Sequence, residues 1–319
     1  MRIFRTRAYG AALVALALVL GACGSGVSGD DEPSGGGGGG GTVASQLTLG
    51  GPPECPERPF CIPGLKKTYG VEFAEFEELD IGGPLTVKAL VGGKIDVGLL
   101  FSTSSTIVDN DLVVLEDDKN LQQAENITPV VREEVLDPTI EELLGSVSAA
   151  LTTEGITELN GRVELDKEDP ADVAADFLEQ EGLLGGEGGG AGDLTVGGVG
   201  FAENQIVAEM YAQVLEDAGY NVDRQTDLGS REIVYPALKS GEVDIAPEYL
   251  GSLLLFLDPK AGASPDAENN AELLEPLLKK DGLALLEPSE ANDTNAFVVT
   301  RETADEYGLE TVSDLAKEQ

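Results

Sequence analysis

The chain of 319 residues has no histidine, no tryptophan and only three cysteines. Without histidine it lacks the side chain most used for general base work and metal ligation near neutral pH. No nucleophile motif or cysteine cluster replaces it, so the sequence argues against an enzyme, a metal centre or a bound cofactor. Carboxylates are too abundant for any pair to be singled out. Basic residues are scarce, 20 against 59 acidic ones, for a formal charge of −39. Such a chain has no footprint for a phosphate backbone, which excludes nucleic acid as a partner. The charge reads as a solvated acidic surface, with attraction of a cationic ligand as the alternative. Long hydrophobic runs are also missing. Ala11–Leu20 is the apolar stretch near the start, and it is too short to span a bilayer.

That stretch has another reading. Arg2, Arg5 and Arg7 precede it, and Leu20-Gly21-Ala22-Cys23 ends it. Basic flank, apolar run and small residues before a cysteine make a signal peptide with a bacterial lipobox. Residues 1–23 are thus expected to be a leader. Cys23 would take a diacylglyceryl group, become the new N-terminus and hold the protein on the outer face of the bacterial cell membrane. Residues 24–46 include the glycine run Gly35–Gly41 and read as a flexible tether. The two other cysteines, Cys55 and Cys61, sit in a proline-rich loop; in an exported chain such a pair reads as a disulfide.

Two stretches repeat each other. Leu47-Thr48-Leu49-Gly50-Gly51 matches Leu194-Thr195-Val196-Gly197-Gly198, and Ala89 to Val97 matches Ala237 to Ile245 in the same step. Each copy reads as an α/β unit, so two lobes facing one another are expected, with ligand at the carboxyl ends of the strands. Strands are predicted at Leu47–Leu49, Glu72–Leu79, Ile95–Phe101, Leu112–Glu116 and Val243–Ala246. Helices are predicted at Pro84–Val91, Thr139–Leu151, Glu154–Arg162, Pro170–Gln180, Arg231–Leu238 and Asn269–Lys280. Asp169 is the expected N-cap before Pro170. Ile206, Val207, Met210, Tyr211, Val214, Leu215 and Ala218 fall at helical spacing on one face, and that face is assigned to the core. Thr128–Arg132 and Ala296–Arg301 resemble one another and read as paired hinge strands crossing between the lobes. Gly185–Gly192 is a second glycine-rich linker. It satisfies G-x-G-x-x-G only as any glycine tract does, and no strand precedes it.

Several motifs resemble a known family. They are Gly50-Gly51-Pro52-Pro53-Glu54-Cys55, Gly98-Leu99-Leu100-Phe101-Ser102-Thr103, Gly200-Phe201-Ala202-Glu203-Asn204-Gln205, Leu228-Gly229-Ser230-Arg231-Glu232 and Asp293-Thr294-Asn295-Ala296. Together with Leu115 to Lys119 and Pro129 to Arg132, they resemble the substrate-binding proteins of ABC importers for glycine betaine, choline and related osmoprotectants. The resemblance covers nearly all of 47–319 and implies a type II, periplasmic-binding-protein-like clamshell. The order is exchanged: the segment like 194–319 comes first in the family, and the segment like 47–184 follows. The chain therefore reads as a circular permutant, with residues 185–193 joining the family's usual ends. Lobe A is expected to be 47–127 plus 301–319, and lobe B 128–184 plus 194–300. A monomer is expected, and a segment-swapped dimer is the alternative.

A quaternary ammonium donates no hydrogen bond and is held by aromatic faces. Tyr249 ends one strand and Phe101 is its counterpart in the other repeat, which puts one aromatic on each wall. The matching motifs add Gln205, Ser230, Arg231, Asp293, Thr294 and Asn295 as ligand-binding candidates, with Arg231 suited to clamping a carboxylate. The chain departs from the family where cage tyrosines stand, carrying Asn295 and, near the other crossing, Glu125 or Asn126. The resemblance implies an extracytoplasmic receptor that captures a small osmolyte and delivers it to a permease driven by an ATPase. The alternatives are a sensor or surface module on the same fold, or a receptor for a more polar, amino-acid-like solute.

Overall fold

The structure, a computed structural model, describes residues 41–80, 82–185 and 189–319. The leader, the lipobox Cys23 and the tether as far as residue 40 lie outside the described residues, as does the middle of the second glycine linker. No helix among the described residues is long and apolar enough to cross a membrane.

The first repeat folds from the strand β1 (Thr48–Gly51). A loop follows, pinned by the Cys55–Cys61 disulfide, whose Cα atoms lie 5.3 Å apart. The helical turn α1 (Ile62–Gly64), strand β2 (Glu75–Glu78), helix α2 (Pro84–Val91), strand β3 (Val97–Phe101), helix α3 (Ser105–Asp109) and strand β4 (Leu112–Val114) complete it. The chain then crosses to β5 (Ile127–Arg132). Three helices come next, α4 (Pro138–Ala150), α5 (Thr153–Glu164) and α6 (Pro170–Gln180). Proline at the first position starts α2, α4 and α6, where its missing N–H costs nothing. Asp169 accepts from the Ala171 N–H as the expected N-cap, and Asp137 caps α4 in the same way.

The second repeat runs through β6 (Asp193–Gly197), α7 (Ala202–Asp217), β7 (Asn221–Gln225), α8 (Arg231–Ser240) and β8 (Ile245–Tyr249). After α9 (Leu250–Leu257), α10 (Ala267–Lys280) and β9 (Leu283–Leu285), the chain crosses back to β10 (Asn295–Thr300) and ends past α11 (Arg301–Tyr307). Sequence patterning gave no expectation for α3, β7, α9, β9 or α11, which are short or buried on all sides.

Two five-stranded sheets result, ordered β2-β1-β3-β10-β4 and β7-β6-β8-β5-β9. The strands are parallel except β10 in one sheet and β5 in the other, each antiparallel to both neighbours. The registers match across the repeat: Phe101 pairs with Asn295 on β10, and Tyr249 pairs with Ile127 on β5. This is the two-lobed α/β clamshell expected. Each sheet buries both faces. Val130 and Val131, adjacent on β5, enter different apolar clusters on opposite sides of their sheet. The whole face assigned on α7 from Ile206 to Ala218 is buried against α4, α5 and α6. Gly50 sits so close under Ile95 that a Cβ would lie 2.4 Å from its Cδ1. Its repeat counterpart Gly197 faces Val243 at 2.8 Å.

Two boundaries differ from expectation. The sequence places residues 295–300 in lobe B, but β10 forms five register pairs with β3 and belongs to the sheet of lobe A. β5 and β10 are therefore not hinge strands. The crossings are the segments just before them, joined by a bridge between Asn126 and Asn292. Residues 42–46, read as tether, are folded. Val43 and Ala44 are buried in the core of lobe A, and Thr42 bridges Glu318.

Candidate functional site

A cavity of about 570 Å³ opens at the carboxyl ends of β3 and β8, between the lobes and beside the crossing segments. Lobe A contributes Phe101 and Thr103. Lobe B contributes Phe201, Glu203, Arg231, Glu248 and Tyr249. Glu125, Asp293 and Asn295 line it from the crossings. The size is that of a small-molecule site.

The aromatic wall is a pair. Phe201 and Tyr249 stack with ring centroids 6.0 Å apart at 29°. Phe101 lies on the opposite lobe and is 37 % exposed, which leaves its ring available to the cavity. Phe201 immediately precedes α7, and its motif residues Glu203 and Asn204 are buried in the first turn of that helix. Asn204 accepts from the Val199 N–H at 2.7 Å and donates to the Pro247 carbonyl at 3.1 Å, tying the end of β6 to β8.

The remaining wall is acidic. Five carboxylates line the cavity, those of Glu125, Glu164, Glu203, Glu248 and Asp293, against two guanidinium groups, Arg58 and Arg231. Glu203 accepts from the Tyr249 hydroxyl at 2.9 Å and from the Asn160 amide at 2.9 Å. Asp293 accepts from the Thr103 hydroxyl at 2.7 Å. Glu125 accepts from the Ser252 N–H at 2.9 Å and from the Gln123 amide. Arg231 pairs with Glu248 through Nε at 2.9 Å and Nη2 at 2.8 Å, and Nη2 also donates to the Ser252 hydroxyl. Loss of water pushes the Glu203, Asp293 and Glu125 carboxyls above the usual carboxylate range. The nearby charge of Glu203 drives Asp293 further, while the donors from Thr103, Asn160 and Tyr249 partly restrain Glu203. Burial and the Glu203 charge likewise push the Tyr249 phenol up, so it stays a neutral donor. On one side the lobes already touch, through Asn160 to the Thr103 carbonyl at 3.2 Å and Ser105 to Glu164 at 2.9 Å.

Of the residues singled out from sequence, Tyr249, Phe101, Ser230, Arg231, Asp293 and Asn295 line the cavity. Gln205 and Thr294 do not. Gln205 lies two positions beyond Glu203 on α7, rotated about 200° away from it. Thr294 instead joins the crossing segment to lobe A, its N–H donating to the Ser102 hydroxyl at 2.9 Å. Sequence reasoning passed over Phe201, Glu203, Asn160 and Glu248. Phe201 and Glu203 belong to the motif Gly200 to Gln205, in which the family resemblance points to their neighbour Gln205. Among the described residues, no group of three or more His, Cys, Asp or Glu side chains is placed to hold a metal ion.

The family described as the substrate binding domain of ABC-type glycine betaine transport systems matches residues 41–180 and 192–319. A glycine-betaine-binding protein of Pseudomonas aeruginosa is 36 % identical over 127 residues, covering 39 % of each chain. The ergothioneine transport permease/ergothioneine binding protein EgtU of Helicobacter pylori is 34 % identical over 129 residues, 40 % of this chain and 23 % of its own. The carnitine transport binding protein OpuCC of Listeria monocytogenes is 27 % identical over 125 residues, 39 % of this chain and 40 % of its own. The chain thus spans about two fifths or less of the length of these curated relatives.

Proposed function

For this chain, which belongs to the family of substrate-binding domains of ABC-type glycine betaine transport systems, we propose the role of solute receptor for an importer. It captures a small solute with a quaternary-ammonium type of positive centre between its lobes, outside the cytoplasm, and hands it to a membrane permease driven by an ATPase. The observation that carries this reading is the stacked Phe201–Tyr249 pair facing Phe101 across a cavity walled by carboxylates. Aromatic faces and anionic side chains are the two protein groups that attract an organic cation. Because the cavity draws on both lobes, a ligand touching both walls has its highest affinity for the closed form, and that difference drives closure. The leader and lipobox support anchoring through Cys23, and the protein acts by binding, without chemistry of its own.

The sequence order supports a further part of the reading, that the chain is a circular permutant; we propose with it that the chain acts as a monomer. Residues 41–43 and 317–319 run side by side, with the Val43 N–H on the Lys317 carbonyl at 2.9 Å and the Gln319 N–H on the Gly41 carbonyl at 3.1 Å.

Calorimetric titration of residues 24–319, with Cys23 absent, against glycine betaine, choline, carnitine and proline betaine tests the receptor reading. Saturable binding of one of them is expected. No heat with any of the four, from protein shown to be folded, would remove the quaternary-ammonium class.

A further inference from the structure

On one side of the cleft the lobes meet in a seam, where α5 of lobe B lies against the segment that follows β3 of lobe A. A single amide carries the buried part of it. Asn160 Nδ2 donates to Glu203 Oε2 at 2.9 Å within lobe B and to the Thr103 carbonyl at 3.2 Å on lobe A. Both neighbours are acceptors, so the amide meets them only through its N–H groups. Thr103, Asn160 and Glu203 are each at most 3 % exposed. One turn further along α5, Glu164 accepts from the Ser105 hydroxyl of α3 at 2.9 Å. Between these two bonds Gly161 faces Ser105, and a Cβ on it would lie 3.5 Å from the Ser105 Cβ. That is ordinary contact, so alanine fits there, while a longer branched side chain would press α5 and α3 apart.

The seam is continuous with the ligand side of the cleft. The Tyr249 hydroxyl donates to Glu203, Glu203 accepts from Asn160, Asn160 donates to the Thr103 carbonyl, and the Thr103 hydroxyl donates to Asp293 at the crossing. All five residues line the cavity, in one connected run from the aromatic wall of lobe B through lobe A to a crossing segment. Ser105 and Gly161 are not among the residues that line it.

We propose that Asn160, Gly161 and Glu164 of α5 act as positioning residues, a latch on lobe A that sets the fraction of closed protein and, through it, the affinity for every solute. The proposal rests on the receptor reading and goes beyond it, because Ser105 and Gly161 act from outside the cavity. The bonds from Asn160 to Thr103 and from Ser105 to Glu164 hold only while the lobes are together. A solute that binds the closed form has its apparent affinity scaled by the closed fraction. Loosening the latch therefore weakens chemically different solutes by one common factor. Loss of a cavity contact, by contrast, weakens each solute by a factor of its own.

The test compares residues 24–319, with Cys23 absent, with the variants Gly161→Leu, Gly161→Ala and Ser105→Ala. Each is titrated with choline, glycine betaine and carnitine. Spin labels on Leu85→Cys and Ile233→Cys report lobe separation in the same proteins. These two exposed residues occupy the first turns of α2 and α8, one on each lobe. Gly161→Leu is expected to lengthen the label distance and to weaken every solute bound by the original at least about tenfold, by factors that agree within about threefold. Ser105→Ala, which removes one bond of the seam, is expected to weaken them about threefold. Gly161→Ala is expected to match the original in both readouts. Should Gly161→Leu fail to fold, Ser105→Ala supplies the same two readouts. An unchanged label distance in folded Gly161→Leu would overturn the latch, and so would losses that differ between solutes by more than about threefold. If the original binds none of the three solutes, the receptor reading fails for this class, and the label distance judges the latch by itself.

Discussion

The Tyr249 hydroxyl donates to Glu203 Oε1 at 2.9 Å, so the aromatic wall of the cleft and one of its buried acids are held as a unit. Removing the ring and removing the hydroxyl therefore have separable effects. Tyr249→Ala deletes a cation-binding face worth about 0.5–2 kcal/mol and the stacking partner of Phe201. It is expected to weaken ligand binding tenfold or more by calorimetry. Tyr249→Phe keeps the ring but leaves Glu203 one donor short, so affinity should fall by only a few-fold while the Glu203 carboxyl titrates at still higher pH. An unchanged affinity in Tyr249→Ala would take this residue out of the site.

The buried acids also set the pH dependence of stability. The carboxyls of Glu203, Asp293 and Glu125 titrate above their ordinary range in the folded protein because they lose water; the charge of Glu164 adds to this at Glu203, and those of Glu203 and Glu125 add to it at Asp293. A raised carboxyl contributes stability that is fully present below its unfolded pKa and is lost as pH rises through the folded value. The unliganded protein should melt several degrees higher at pH 5 than at pH 8. The net charge of −39 gives a trend in the same direction, so the contrast must be made against a variant. The groups facing Glu203 are Asp293, Glu164 and the neutral Tyr249, and none supplies positive charge. Glu203→Gln is expected to raise the melting temperature at pH 8 and to flatten the difference. Equal pH slopes in both proteins would show that Glu203 is not the source.

The Cys55–Cys61 bridge closes the loop that follows β1, and both residues are buried in the core of lobe A. For a loop this short, the chain-entropy model puts its contribution at about 2 kcal/mol. The Cys55→Ala, Cys61→Ala variant should lose about that much in denaturant unfolding. A loss below a few tenths would mean that packing alone orders the loop.

Much of the fold was legible because it is written twice. The matched strands ending at Phe101 and Tyr249, with their equivalent registers, follow directly from the repeat. The same repeat held the correction to the lobe boundary. If residues 128–132 leave the lobe that precedes them, their counterpart at 296–300 must do so too, and β10 does join the opposite sheet. What stayed hidden depends on helix phase and on burial. Glu203 is one acid among 59, and nothing local distinguishes it from a solvated one. Only the packing of α4, α5 and α6 over α7, and of Asn160 over its first turn, encloses it. Asn160 itself lies in a segment with no motif, brought to the cleft by the fold.

The order of segments gives a test that does not depend on any ligand. Thr42 and Glu318 form an antiparallel bridge, with Gly41 and Gln319 opposite one another at the open end. A two-residue Asn-Gly turn suits such a pair of antiparallel ends. Opening the chain at 185–191 removes little: the described hydrogen bonds there are the Gly185 N–H on Asp217 and the Gly189 and Gly190 N–H groups on the Ala218 carbonyl. A reordered chain running from 192 to 319, through Asn-Gly, then from 41 to 184, is expected to fold as a monomer. Its melting temperature should lie within a few degrees of the original and its ligand affinity within about threefold, because permutation between adjacent surface ends is tolerated. Light scattering on the original chain checks the same geometry. A dimer there, with a monomeric reordered chain, would mean that 41–43 pairs with 317–319 of a second copy and that the lobes close by segment exchange. A reordered chain that fails to fold would count against the permutation itself.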